Sequence, residues 1–259
     1  MDYLVTIIVT FFAGMGAGLG TGFAGMSAAA VITPMLVTFL DIEPYTAVGI
    51  ALASDVLASA VSAYTYRKNK NLDVKNGLLM MGIILIFTVV GSYVSSMVPS
   101  HTMGGFSTFV TLILGIKFII KPVMTTKAEM EAVSKARKIV GSVLCGIFIG
   151  FICGFVGAGG GMMMLLILTS VLGYELKTAV GTSVFIMAFT ALTGAISHFS
   201  LGDSPDIWVM VLCVVFTFIW AQIAAKFANK AKPETLNRVV GVVLVVLGIV
   251  ILGFEYFIK

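Results

Sequence analysis

Charge is what this chain has least of. Only 11% of its 259 residues are Asp, Glu, Lys or Arg, where a soluble domain carries roughly 25% because its surface must meet water. A water-covered globule is therefore excluded. Histidine is almost missing: His101 and His198 stand far apart and outside any H-E-x-x-H pattern, so a membrane zinc protease is excluded too. Cys145, Cys153 and Cys213 lie in apolar segments with no metal-type spacing, and read as small packing residues. No Walker lysine follows either glycine cluster. Neither a metal nor an organic cofactor is expected.

What fills the chain instead is hydrocarbon. Hydrophobic residues make up 59% of it, and the mean hydropathy is +1.10. The apolar residues come in blocks, 77–98, 103–120, 207–225 and 239–254. Each is close to the roughly 20 residues that cross about 30 Å of hydrocarbon. The chain is read as an all-α polytopic membrane protein, multi-pass in the cell membrane with the lipid bilayer as its solvent. "MDYLVTIIVTFFAG" lacks a basic n-region and reads as the first membrane segment. The net charge of +4 lies in loops, where it sets orientation and does not point to nucleic acid.

A shift of 132 residues aligns the two halves without a gap across their glycine-rich regions. Gly14, Gly18, Gly22, Phe23 and Gly25 fall on Gly146, Gly150, Gly154, Phe155 and Gly157, and "TAVG" at 46–49 falls on "TAVG" at 178–181. Glu43 falls on Glu175. This predicts an N-terminal repeat over 1–124, a charged cytoplasmic linker over 125–138 and a C-terminal repeat over 139–259.

Lys and Arg concentrate in 67–75, 125–138 and 226–238, which the positive-inside rule places in the cytoplasm. The loops 41–44, 98–102 and 202–206 lack them and are placed outside. Segments 45–66, 76–97 and 103–121 then run inward, outward and inward, and 178–199, 207–226 and 239–257 run outward, inward and outward. The basic loop 67–75 aligns with the acidic loop 200–206, yet the two fall on opposite faces. Matching elements thus cross in opposite directions. The expected fold is two inverted-topology repeats, each a Gly-rich helical hairpin plus three transmembrane helices.

Stretches 3–40 and 139–172 must each enter and leave on one side, turning at their glycines. In the second, arms of about 15 and about 12 residues are too short to cross comfortably at 1.5 Å per residue. In the first, arms nearer to about 18 residues leave two complete crossings open. Whether each hairpin is re-entrant or fully spanning is not decided by the pattern.

"GFVGAGGG" puts five glycines in eight positions, 154–161. The four-residue spacing of Gly14, Gly18, Gly22 and of Gly146, Gly150, Gly154 suits close helix packing. Gly157, Gly159, Gly160 and Gly161 break that spacing and are candidates to line a site. A helix starting at 159–161 would leave its first N–H groups free for an anion. The first half offers "GFAGMSAAA", with Gly25 and with Ser27 aligned to Gly159. "GTGFAG" at 20–25 matches a dinucleotide fingerprint literally, but it lies in an apolar hairpin without the strand which that motif needs.

Asp55 is the acid near the centre of a span, and a mid-membrane carboxylate marks a functional candidate. It could carry a coupling proton or bond the opposing hairpin, and its repeat partner is Met187. Thr182 and Ser183 are placed to face the second hairpin and Ser54 the first, though such hydroxyls often bond their own backbone. His198 is a candidate at the outer end of its span, and Lys117 and Gln222 are weaker anion candidates. Arg67, Lys226 and Lys230 read as snorkelling residues, and Trp208 and Trp220 as interfacial anchors.

Two halves, each with a Gly-rich hairpin, then "TAVG" and a Ser/Thr-bearing helix, resemble the sulfite exporter TauE/SafE family, most tellingly over 150–203. The resemblance covers essentially the whole chain. It implies a membrane transporter of sulfite, organosulfonates or other small anions. It directs binding to Gly157–Gly161 and to the matching first-half hairpin. The first half departs from the second in reading "GFAGMSAAA" against "GFVGAGGG", so the two hairpins are expected to contribute unequally.

The leading expectation is a secondary transporter, an exporter of small sulfur-containing anions, with its site between the two hairpins and a proton as the candidate coupling ion. The alternatives are a passive anion channel or a carrier of a different small organic anion. An intramembrane enzyme is not expected: an aspartyl pair needs two carboxylates at depth, and Ser197 and His198 are neighbours that point apart on a helix.

Overall fold

The computed structural model describes residues 3–95, 104–156, 160–201 and 205–257. Among them there is no β-strand. The helices are α1 (Tyr3–Ala24), α2 (Ala29–Leu40), α3 (Pro44–Lys68), α4 (Val74–Ser95), α5 (Gly104–Ile120), α6 (Lys127–Ala132), α7 (Lys135–Val156), α8 (Gly160–Ser170), α9 (Leu176–Leu201), α10 (Ile207–Lys230) and α11 (Pro233–Phe257).

Short-range chemistry sets where several of them start. Glu43 stands before Pro44, and its carboxylate accepts the N–H groups of Tyr45 at 3.0 Å and Thr46 at 2.8 Å. Proline at the first helical position loses no bond, because that N–H would be unpaired in any case. Asp206 caps α10 in the same way, accepting from Trp208 and Val209. In the linker, Thr126 and Glu129 form a reciprocal capping box that starts α6. Each such cap stabilises its helix by about 0.5–2 kcal/mol.

Helices α1, α3, α4, α9, α10 and α11 are long and apolar enough to cross a membrane. Side chains on their outer faces, such as Leu4, Ile8 and Phe12 on α1, are exposed as lipid contact requires. The chain is a polytopic membrane protein.

The two glycine-rich stretches differ from expectation in one respect. In each a long helix comes before a short one: α1 has 22 residues and α2 has 12, while α7 has 22 and α8 has 11. The equal arms expected in the first half are absent, because the chain stays non-helical from Gly25 and re-enters helix only at Ala29. The longer first arm of the second hairpin arises because α7 begins in the charged linker at Lys135, which hydropathy had set apart. A helix of 12 residues is roughly 18 Å long, too short to cross about 30 Å of hydrocarbon.

Close helix contacts are made where glycine leaves room. A Cβ on Gly18 would stand 2.6 Å from the Thr217 carbonyl oxygen and 2.7 Å from Trp220 Cβ, so α1 lies directly on α10. A Cβ on Gly150 would stand 2.6 Å from the Ile84 carbonyl oxygen and 2.9 Å from Phe87 Cβ, so α7 lies directly on α4. Helices α3 and α9 run antiparallel, with Gly181 against Tyr66 and Gly194 against Leu52. Helices α5 and α11 also run antiparallel, with Gly115 against Val245 and Gly248 against Leu112. Helix α10 continues to Lys230, and on it Trp220 stands edge-on to Phe11 at 6.2 Å between ring centroids.

Candidate functional site

At the start of α2 the structure already holds an anionic group of its own. Asp55, midway along α3, is fully buried. Its Oδ2 accepts from Ser27 Oγ at 2.9 Å and from the Ala28 N–H at 3.1 Å, and its Oδ1 accepts from Ser59 Oγ at 2.8 Å. The unpaired amides at a helix start favour negative charge. Here α3 supplies it. Asp55 thus binds the hairpin of its own half, and its partner set includes Ser27 as well as a residue the sequence reading passed over, Ser59. The signal was there, since Ser59 lies four residues on and so on the same face of α3.

The Gly25 turn meets the start of α8. Gly25 sits at φ 63°, a left-handed conformation that glycine adopts without cost. Its carbonyl oxygen lies against Gly161 in the first turn of α8, so closely that a Cβ at Gly161 would collide with it. Ser183 on α9 ties the two together, with its Oγ 3.3 Å from the carbonyl oxygens of both Gly25 and Gly161. Met187 completes the contact, its Sδ 3.0 Å from where a Gly161 Cβ would be. Gly160 opens α8, and Gly157 and Gly159 lie outside the described residues.

The remaining hydroxyl candidates are spoken for. Ser54 donates to the Ile50 carbonyl of its own helix at 2.9 Å. Thr182 points away from the turns and accepts from the Asp73 N–H at 3.2 Å. Lys117 bonds Ser170 at the end of α8. The side chain of His198 lies outside the described residues. Ser62 and Tyr66, buried on α3, were also not singled out from sequence. Ser62 is fully buried with no partner among the described residues, and Tyr66 donates to the Gly22 carbonyl at 2.9 Å.

Thr182 belongs to a polar latch. The loop between α3 and α4 packs on the start of α9, with the Asn71 carbonyl oxygen against Gly181. Asn71 Nδ2 donates to Asn229 Oδ1 on α10 at 2.8 Å, and Lys177 Nζ donates to the Asn229 carbonyl at 3.0 Å. Asp73 accepts from Tyr174 Oη at 3.0 Å. Burial, with the Asp73 carboxylate beside it, holds the Tyr174 phenol above its ordinary range, so it stays a neutral donor. The loop, α9 and α10 are thereby joined at one end of the bundle.

The sequence is similar to known proteins over nearly its whole length. Over 96% of both chains, the sequence is 25% identical to the probable membrane transporter protein YunE of Bacillus subtilis. It is 25% identical to a probable membrane transporter protein of Methanocaldococcus jannaschii, over 95% of this chain and 94% of that one. It is also 25% identical to a probable membrane transporter protein of Haemophilus influenzae, over 94% and 97%. The sequence profile of the sulfite exporter TauE/SafE family matches residues 10–251. With that match across nearly its whole length, the chain belongs to the sulfite exporter TauE/SafE family, a family of membrane transporters and not of enzymes.

Proposed function

We propose that the chain is a secondary carrier that exports small sulfur-containing anions, such as sulfite or organosulfonates, by alternating access. The carrying observation is the unequal state of the two hairpins. The start of α2 is held by the Asp55 carboxylate. At the positions aligned with Ser27, Asp55 and Ser59, the second half has Gly159, Met187 and Ala191, with neither a charge nor a hydroxyl. The amides at the start of α8 are left for an anion that comes and goes. Gly160 and Gly161, with Ser183 behind them, form its described wall, and Gly157 and Gly159 join them on the sequence pattern. Gly25 and Ser27 hold the facing turn, and Ser54 and Thr182 support the helices that frame it. Asp55 acts as the fixed partner of α2, not as the proton-coupling group.

An alternating mechanism calls for two halves of opposite orientation. Its support is that equivalent helices α3 and α9 are antiparallel, as are α5 and α11, and that α1 on α10 matches α7 on α4. The latch around Asn71 then closes one end of the pathway, and must open in each cycle.

Uptake into proteoliposomes tests the substrate. Sulfite or sulfoacetate is expected to accumulate saturably under an imposed proton gradient, with sulfate and taurine as comparisons. Non-saturating flux at channel rates would sink the carrier reading. Access is tested by cysteines at Asn71 and Asn229 in a chain whose three native cysteines are alanine. Joining them with a short bis-methanethiosulfonate should slow transport by about tenfold or more, reversed by reductant, because closing motions gate turnover. A linked protein that transports at the unlinked rate would show that the loop does not open.

A further inference from the structure

An open cavity of about 390 Å³ lies beside the latch, between the α3–α4 loop, α6 and the start of α7. Lys70, Asp73, Lys75, Lys127, Glu131 and Lys138 line it. Its charges do not balance. Asp73 is already occupied, accepting from the Asn76 N–H and Nδ2 and from Tyr174 Oη. Glu131 is left against four ammonium groups, and none of the four makes an ion pair among the described residues. Lys127 instead donates to the Lys70 carbonyl, which fastens α6 to the loop.

Lys70 follows α3 at φ 59°, where the Asn71 N–H closes the helix end on the Tyr66 carbonyl at 2.9 Å. Four like charges brought together around a concave surface repel one another, and a bound anion removes that repulsion. One negative charge would leave most of it in place. A group with several charged oxygens would engage several ammonium groups together.

We infer that this cavity is a second anion site, distinct from the one proposed between the hairpins, which takes a phosphate group of more than one negative charge. The bearer is either a free phosphorylated small molecule or the headgroup of an acidic lipid. Because the site is shared by the latch loop and the linker helix, its occupant favours the closed latch.

The probe is inorganic pyrophosphate, titrated onto the full chain in phosphatidylcholine nanodiscs at constant ionic strength. Pyrophosphate should raise the melting temperature saturably and slow amide exchange over 69–75 and 127–132. The paired substitutions Lys70→Gln and Lys138→Gln should weaken that response by about tenfold or more, since charge-assisted bonds are lost. Lys75→Gln, at an exposed side chain, gives a second variant that leaves the packing untouched. A parallel arm replaces pyrophosphate with phosphatidic acid, whose phosphomonoester can carry two negative charges, in the nanodisc. A lysine-dependent shift there alone assigns the site to a lipid headgroup. No response in either arm, or the same response in the lysine variants, overturns the inference. Binding is read here without transport, so the outcome is independent of the carrier proposal.

Discussion

Gly161→Ala is expected to cut transport by about tenfold or more. One methyl group is added, but it has nowhere to go. It would overlap the Gly25 carbonyl oxygen and stand 3.0 Å from Met187 Sδ. The thioether can swing aside. The carbonyl cannot, because Gly25 is committed to a left-handed turn, with its N–H bonded to the Thr21 carbonyl at 2.9 Å and the Met26 N–H bonded to Gly20. The hairpins must therefore separate at the point where the anion is proposed to bind. Overpacking a core costs about 1–3 kcal/mol, and a backbone obstacle belongs at the upper end of that range. Transport should fall by about tenfold or more, since a misplacement near 1 Å at a site has effects of that order. Gly82→Ala is the control. No atom lies within 4 Å of its added Cβ, and it should transport as the parent does. Wild-type rate and affinity in Gly161→Ala would mean that the contact between the turns is not part of the pathway.

Much of this architecture could be read from residues alone, and the part that could not has physical causes. Spans are visible because lipid demands about 20 apolar residues in a row, and the break at Gly25 is visible because glycines interrupt that run. Helix ends in water carry no such demand. Helix α7 therefore starts unannounced at Lys135, within a stretch whose charges look like linker. The length of α2 was hidden for the opposite reason, since "AAVITPMLVTFL" is as apolar as the turn before it. Pairing across the bundle was the hardest to foresee. Asp55 reads as an isolated charge at membrane depth, and only the fold brings Ser27 and Ala28 to it. Thr182 and Ser183 are adjacent in sequence, yet one faces the Asp73 loop and the other the hairpin turns. Successive helix residues are about 100° apart, and no local pattern says which face meets which neighbour.

Asp55 is where the two readings of a buried acid diverge most sharply in experiment. As a cap, what matters is an acceptor at Oδ2 for the Ala28 N–H and Ser27 Oγ, and any group at Oδ1 that Ser59 can meet. Asparagine meets those terms: its Oδ1 can take the Oδ2 position, and the Ser59 hydroxyl can turn to accept from its amide. Alanine meets none. Serine hydroxyls can rotate towards their own backbone, but the Ala28 amide at the start of α2 cannot turn away. A buried donor left unpaired costs about 1–3 kcal/mol, and the lost bonds to a charged acceptor add to it. Asp55→Ala should therefore lower the melting temperature steeply and lose the transporter, while Asp55→Asn keeps both fold and proton-driven accumulation. A coupling residue predicts a different split, because asparagine cannot take and release a proton. Asp55→Asn protein that melts like the parent but no longer accumulates substrate under a proton gradient would transfer Asp55 from scaffold to coupling. If both substitutions are tolerated, then the carboxylate is not what holds α2 in place, and the contrast with Met187, the α9 residue that faces the start of α8, loses its force.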